Sequence, residues 1–371
     1  MLIPIFRKGE EHMLYTYEQR EKRLENTVTL LNKGPLDIIS KNIPFFEKSK
    51  GLDAKAKEHL QTVDPSTHRP RGIEDLEAIR SGKDVENKNL STVGEVETKH
   101  IHLPGRTLKI RIYNRSEEVK PALVYFHGGG FFERGMDVME NPCRLLAQKA
   151  GAVVVAIEYR LAPEFPYRQG LDDCLEGVRY VYEEAASLSI NPELIGLVGD
   201  SVGGNLALGV DHLSQDEEWN ICYVGLLCPL VDLSDISRQN WKIDHYDMSK
   251  DEPLIRRELL QMRESLFFIQ TLYLKNLDDV LLPLVSPLLS KEKHELPAVT
   301  MITAEFDFLR IQGEDFSAQL LAAGVPVRHI EYKGMHHAFV KLLGYYPQAA
   351  DAVKEIAGHF SSTVSSYRSK S

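Results

Sequence analysis

The chain has 371 residues, 26% of them charged, and 54 Asp and Glu outweigh 44 Lys and Arg to give a formal net charge of −10. Charges of both signs are interspersed with no basic patch, so the composition excludes nucleic acid as a partner, and no apolar run approaches the ~18 residues of a membrane span. The length suits one large core with additions better than two average domains.

Met1 to Phe6 is apolar, but it is too short for a signal-peptide core and runs into acidic residues. From there to about Val93 the chain is rich in Lys and Glu and poor in β-branched runs. Tyr17, Leu24, Val28 and Leu31 fall at helical spacing, and Pro44, Pro65 and Pro70 divide the stretch into short helices. Residues 1–93 are therefore predicted as a helical segment, set apart from a catalytic domain over residues 94–371. An alternative reading is a solvated helical arm used for assembly.

Strands are predicted at residues 96–102, 108–113 and 121–126, with residues 152–157 the clearest buried strand. Directly after residues 121–126 comes His127-Gly128-Gly129-Gly130. Consecutive glycines let a backbone pass close to a ligand with its N–H groups facing inward, because no Cβ intervenes. The expected donors are the amides of Gly129 and Gly130, with that of Val202 as a third. A phosphate cradle would need the Lys-Ser/Thr of a P-loop or a G-x-G-x-x-G after a first strand, and neither is present.

The donor at Val202 belongs to a second glycine-rich segment, Gly199-Asp200-Ser201-Val202-Gly203-Gly204. A G-x-S-x-G pentapeptide alone is weak evidence; context strengthens it. Residues 194–198 are apolar like a buried strand, and residues 205–210 continue at helical spacing. The chain must turn from one to the other within a few residues. That turn presents the Ser201 hydroxyl at its tip, above the first amides of a helix.

A serine nucleophile needs a base, and the base needs an acid to fix its tautomer. Residues 297–303 read as a strand with Glu305 and Asp307 beyond its end, and Asp307 is the expected acid with Glu305 its competitor. A helix at residues 312–323 and a strand at residues 326–332 follow, leading to His336-His337, where spacing does not choose between the two histidines. Together with His329 they also admit a metal reading, but no Cys or carboxylate sits at ligand spacing, so neither metal nor cofactor is expected. Cys143, Cys174, Cys222 and Cys228 lack C-x-x-C pairing and lie in apolar surroundings, as reduced cysteines of a cytoplasmic protein do. A second insertion at residues 235–285 is helical and carries Trp241, Met248, Leu266, Phe267, Phe268 and Tyr273. These side chains form either a pocket lining or the insertion's own core.

In these segments the chain resembles the hormone-sensitive lipase family of α/β-hydrolases, esterases of the HGGG and GDSAGG type. The likeness rests on His127 to Phe131, Tyr159-Arg160-Leu161-Ala162-Pro163-Glu164, Gly199 to Gly204, Ser286-Pro287-Leu288, and the surroundings of Asp307 and His337. It implies an α/β-hydrolase fold, a mostly parallel sheet flanked by helices, with a helical cap built from residues 1–93 and 235–285. The family's acid precedes Leu-Arg and its base precedes Gly-Phe, matched here by Ala338-Phe339 after His337, which implies Asp307 over Glu305 and His337 over His336.

Two departures stand out: Val202 replaces an alanine and is expected to crowd the oxyanion site, and Ile311 replaces an acidic residue after Leu-Arg. The implied activity is serine carboxylester hydrolysis of short- to medium-chain esters through an acyl-enzyme, the partners being a small-molecule ester and, as in relatives, a second copy of the chain. An amidase or peptidase of the same fold and a catalytically silent receptor are the competing readings.

Overall fold

The computed structural model describes residues 15–63, 75–81, 87–234 and 241–369. Met1 to Phe6, Pro65, Pro70 and the first residues of the second insertion lie outside them. Ten strands form one sheet: β1 (Val28–Lys33), β2 (Leu36–Lys41), β3 (Glu97–Leu103), β4 (Arg106–Tyr113), β5 (Lys120–Phe126), β6 (Val153–Glu158), β7 (Ile190–Asp200), β8 (Tyr223–Leu227), β9 (Ala298–Phe306) and β10 (Val327–His336). Their order is β1-β2-β10-β9-β8-β7-β5-β6-β4-β3. The run from β2 to β6 is parallel throughout, and β1, β3 and β4 are antiparallel to their neighbours.

Helices α1 (Tyr17–Asn26), α2 (Ala54–Thr62), α3 (Leu76–Arg80), α4 (Glu140–Ala150), α5 (Gln169–Glu183), α6 (Val202–Ser214), α7 (Glu252–Tyr273), α8 (Arg310–Ala322) and α9 (Pro347–Arg368) surround it. Strands β5 and β6 are buried almost end to end, because helices cover both faces of a parallel sheet and leave no solvated side for alternation. Helix α4 packs on α9, and α5 on α6. The parallel strands deliver their carboxyl ends to one edge, where the loops that follow β5, β7, β8, β9 and β10 meet.

The amino-terminal segment differs from the helical expectation. Helix α1 opens with a capping box between Thr16 and Gln19 but stops at Asn26. Val28 and Leu31, which continue the helical spacing, instead lie in β1 of a hairpin joined by Gly34-Pro35. Three things favour strand over helix here: the β-branched pair Val28-Thr29, Gly34 at a φ of +66, and Pro35, which cannot donate to a helix. Strand β2 then pairs in parallel with β10, so the hairpin extends the central sheet.

Polar contacts fasten this segment. The buried Arg20 pairs with Asp53, which also caps α2 and accepts from Gln348 Nε2 at 3.1 Å. Lys41, also buried, lies 3.0 Å from Asp351 and 2.7 Å from Glu355 of α9. Between β8 and β9 the described part of the insertion is dominated by α7. Among the described residues, no helix is long and apolar enough to cross a membrane.

Candidate active site

Strand β7 ends at Asp200 and α6 begins at Val202, which leaves Ser201 alone in the turn at φ 54 and ψ −119. A non-glycine residue in that region is strained and persists only where its surroundings over-determine it. They do so here: Ser201 N–H donates to Leu227 O at 2.8 Å, and Ser201 O accepts from Leu230 N at 3.0 Å and Gly204 N at 3.1 Å. The close approach requires glycine at two positions. A Cβ on Gly199 would stand 2.1 Å from Gly203 O, and one on Gly203 would stand 2.0 Å from Phe126 O.

His337 follows the last residue of β10, and Asp307 the last residue of β9. His337 Nε2 lies 3.0 Å from Ser201 Oγ, and its Nδ1 lies 2.8 Å from Asp307 Oδ2. Asp307 Oδ1 accepts from Leu309 N at 2.9 Å, so both carboxylate oxygens are engaged. A carboxylate beside Nδ1 places the proton there and leaves the Nε2 lone pair facing the hydroxyl.

Competitors named from sequence go elsewhere. Glu305 binds Gly334 N at 2.8 Å and Lys333 at 3.1 Å. His336 bonds Tyr346 Oη at 3.1 Å, and burial pushes its pKa down to about 3. His329 is buried between Thr303 Oγ1 at 3.0 Å and Ser317 Oγ at 2.9 Å, so the three histidines share no common centre.

Beside Ser201 runs the glycine loop. Gly129 at φ +114 and Gly130 at φ +60 both occupy the left-handed half of conformational space. Among the described residues, the amides of Gly129, Gly130 and Val202 donate to no protein acceptor. Asp200 ties this loop to the serine turn, accepting from Gly128 N and Tyr125 Oη, each at 2.8 Å. Val202 itself is buried, 1% exposed, within the hydrophobic core.

Residues 159–164 brace the loop. Tyr159 Oη donates to His127 O at 2.7 Å and its ring stacks on His127, while Arg160 Nε reaches Asp173 at 2.7 Å. Ile311 does not leave Arg310 unpaired, because Glu314 one turn on takes it at 2.7 Å.

Contacts from outside the core reach these loops. Arg80, at the end of α3, donates to Phe132 O at 2.8 Å and Ala162 O at 2.7 Å and forks onto Glu164 at 2.6 and 2.8 Å. That pairing holds the Glu164 carboxyl down to about 2. Tyr273 of α7 stacks on Phe131 with centroids 3.7 Å apart. Tyr246 Oη donates to Asp307 O at 3.0 Å and accepts from Trp241 Nε1 at 3.0 Å.

One neighbour is not singled out by the sequence patterns. Cys228, just past β8, is buried, and its Sγ together with one ligand atom each from Asp307 and His337 forms a group lying within 4.8 Å. Burial, and then the adjacent Asp307, push its thiol pKa well above the usual value. What brings it there is strand order: β8 pairs in parallel with β9, and Cys228 and Asp307 each follow the last residue of their strand.

A sheet with this strand order, a strained serine in the turn after β7, and a Ser-His-Asp relay define an α/β-hydrolase. The model of a family described as having the alpha/beta hydrolase fold matches residues 123–341, more than half of the chain. Carboxylesterase NlhH of Mycobacterium tuberculosis is 32% identical over 232 residues, covering 62% of this chain and 70% of its own. An arylesterase of Saccharolobus solfataricus is 28% identical over 251 residues, 67% of this chain and 78% of its own.

Among solved structures, a hyperthermophilic esterase from Pyrobaculum calidifontis superimposes with a TM-score of 0.71 at 28% identity, over 85% of this chain and 99% of that one. The chain belongs to the hormone-sensitive lipase family of α/β-hydrolases. It is a carboxylic ester hydrolase.

Proposed function

We propose that Ser201 is the nucleophile, His337 the general base and then acid, and Asp307 the group that holds the imidazole, in hydrolysis of small esters through an acyl-enzyme. The continuous relay from Asp307 Oδ2 through His337 to Ser201 Oγ, at 2.8 and 3.0 Å, carries this reading. As Ser201 Oγ attacks the ester carbonyl, His337 Nε2 takes its proton, and Asp307 steadies the imidazolium. The carbonyl oxygen, now anionic, is received by the N–H groups of Gly129, Gly130 and Val202, the last at the positive end of α6. Collapse expels the alcohol, which leaves with the proton from His337; water then repeats the sequence on the acyl-enzyme.

Soluble esters with short to medium acyl chains are the proposed substrates. An ethyl acetate hydrolase of Pseudomonas putida, 31% identical over 243 residues, supports small esters by its name. The cap is assigned to the amino-terminal segment together with the insertion that bears α7. Its support is the packing of Tyr273 and Arg80 on the loop after β5 and the bond from Arg257 to Leu60 O, at 2.5 Å, that joins the two parts. Four buried free cysteines support a reducing, cytoplasmic setting, and the family resemblance supports a homodimer, which sedimentation at working concentration tests.

Nitrophenyl esters from acetate to palmitate, run beside Ser201→Ala, test the reading. The expected result is a rate maximum among the shorter chains and a loss on the order of a million-fold in turnover for the variant. Equal rates for variant and parent would overturn it. Matched anilides are expected to turn over far more slowly than esters.

A further inference from the structure

Cys228, Asp307 and His337 come from the ends of β8, β9 and β10 and present a sulfur, a carboxylate oxygen and an imidazole nitrogen within 4.8 Å of one another. These are the three ligand types that zinc accepts. Bonds of ~2.0–2.3 Å in a tetrahedron set ligand atoms ~3.5 Å apart, so the widest separation closes by about 1 Å while Asp307 Oδ2 and His337 Nδ1, now 2.8 Å apart, open by somewhat less. All three follow strands of one buried sheet, which fixes their separation to the degree that the sheet is rigid. Access is by the imidazole edge, since His337 keeps 17% of its side-chain exposure while Asp307 keeps 1%.

We propose that Cys228, Asp307 and His337 form an inhibitory site for a borderline or soft divalent cation such as zinc. The proposal rests on the assignment of His337 as the base. Its chemistry follows from where the imidazole proton must go. A neutral imidazole has one N–H and one lone pair. In the working arrangement Nδ1 carries the proton toward Asp307, and the Nε2 lone pair faces Ser201 at 3.0 Å.

A cation on the Asp307 side takes the Nδ1 lone pair, so the single proton moves to Nε2, and Nε2 can no longer accept the serine proton. Cys228 binds as thiolate and its proton passes to solvent; Asp307 exchanges its hydrogen bond for a metal bond. No redox change occurs, and the fourth position is filled by water. The catalytic groups thus remain in place while the base is locked in the wrong tautomer.

The experiment has two arms. Initial ester-hydrolysis rates are measured against zinc for the parent, Cys228→Ser and Cys228→Ala, each normalised to its own metal-free rate, with chelator added at the end. Inhibition of the parent reversed by chelator is expected, with the half-inhibiting concentration at least tenfold higher in both variants. In the second arm cadmium is titrated into Ser201→Ala and into Ser201→Ala/Cys228→Ser, and the ultraviolet thiolate–cadmium absorption is recorded. The band is expected in the first protein and lost from the second.

Equal metal sensitivity in all three proteins, no inhibition of the parent together with no cadmium absorption in Ser201→Ala, or equal cadmium absorption in the two serine variants would each overturn the site. Those outcomes are separable from a failure of the base assignment. Spectroscopic binding without loss of activity would show the cation bound to a histidine that is not the base.

Discussion

Strands β5 and β6 are shut off from water almost along their whole length, whereas β1, in the same sheet, leaves Val28 51% and Leu30 65% exposed. The difference extends to what holds each region. The core rests on apolar side chains and on glycines that admit backbone contact, as where Gly203 meets the end of β5. The amino-terminal segment buries Leu24, Leu36 and Ile38 as well, but adds ion pairs to the rest of the chain, through Arg20 to Asp53, Lys41 to Asp351 and Glu355, Lys354 to Glu21, and Lys33 to Glu314. Apolar burial tolerates exchanges that conserve volume, but a buried ion pair depends on both partners.

Removing one partner of a buried pair exposes that dependence most strongly. Arg20→Met leaves Asp53 buried with only neutral donors, and a loss of about 3–5 kcal/mol in unfolding free energy is expected by urea denaturation. Adding Asp53→Asn to Arg20→Met is expected to recover most of it; no recovery would show that the contact acts by packing and not by charge.

Next in size is the clamp by which Arg80 holds the loop after β5. Arg80→Ala releases Phe132 O and Ala162 O, and displacement of the glycine loop by a fraction of an ångström is expected to lower kcat about tenfold to a hundredfold with a smaller change in KM. Arg80→Lys, which keeps the charge but not the fork, is expected to restore little. A pure KM effect would count against the clamp.

The smallest effect concerns a polar exception inside the core. Asp211 of α6 is 3% exposed, and burial, with Glu295 nearby, pushes its carboxyl from 3.8 up to about 8. Because the folded value lies above the unfolded one, the native state holds the extra proton between them, and stability falls as pH rises from about 4 toward 8. Asp211→Asn removes that dependence. At pH 8 the variant is expected to be more stable than the parent by about 1–3 kcal/mol, a discounted share of the ~1.4 kcal/mol that each tenfold change in acidity represents, and at pH 4 to match it. Denaturation curves at the two pH values decide this, and an equal gain at both would overturn the assignment.

The core is legible in the sequence because its strands are short apolar runs that end where glycine, acid or histidine begins. The apolar runs at residues 121–126, 194–198 and 297–303 correspond to β5, β7 and β9 within a few residues. Strand ends then place Ser201, Asp307 and the His336-His337 pair on one edge, although separating the two histidines needs the family pattern. The hairpin is not legible. An edge strand with outward Val28 and Leu30 lacks the alternation that marks a strand, and Tyr17, Leu24, Val28 and Leu31 satisfy a helical spacing that Asn26 ends. Cys228 escapes notice for a different reason: its significance lies in the lateral order of β8, β9 and β10, which no spacing along the chain encodes.

That hairpin also decides which surface is left for assembly. With β2 seated on β10, the parallel sheet no longer ends in the strand that carries His336 and leads to His337. Any second chain that extended the sheet from this side would begin at β1, six residues long with Leu30 facing water, and would have two strands between it and β10. The hairpin therefore keeps β10, and His337 just beyond it, inside the sheet rather than at its lateral margin.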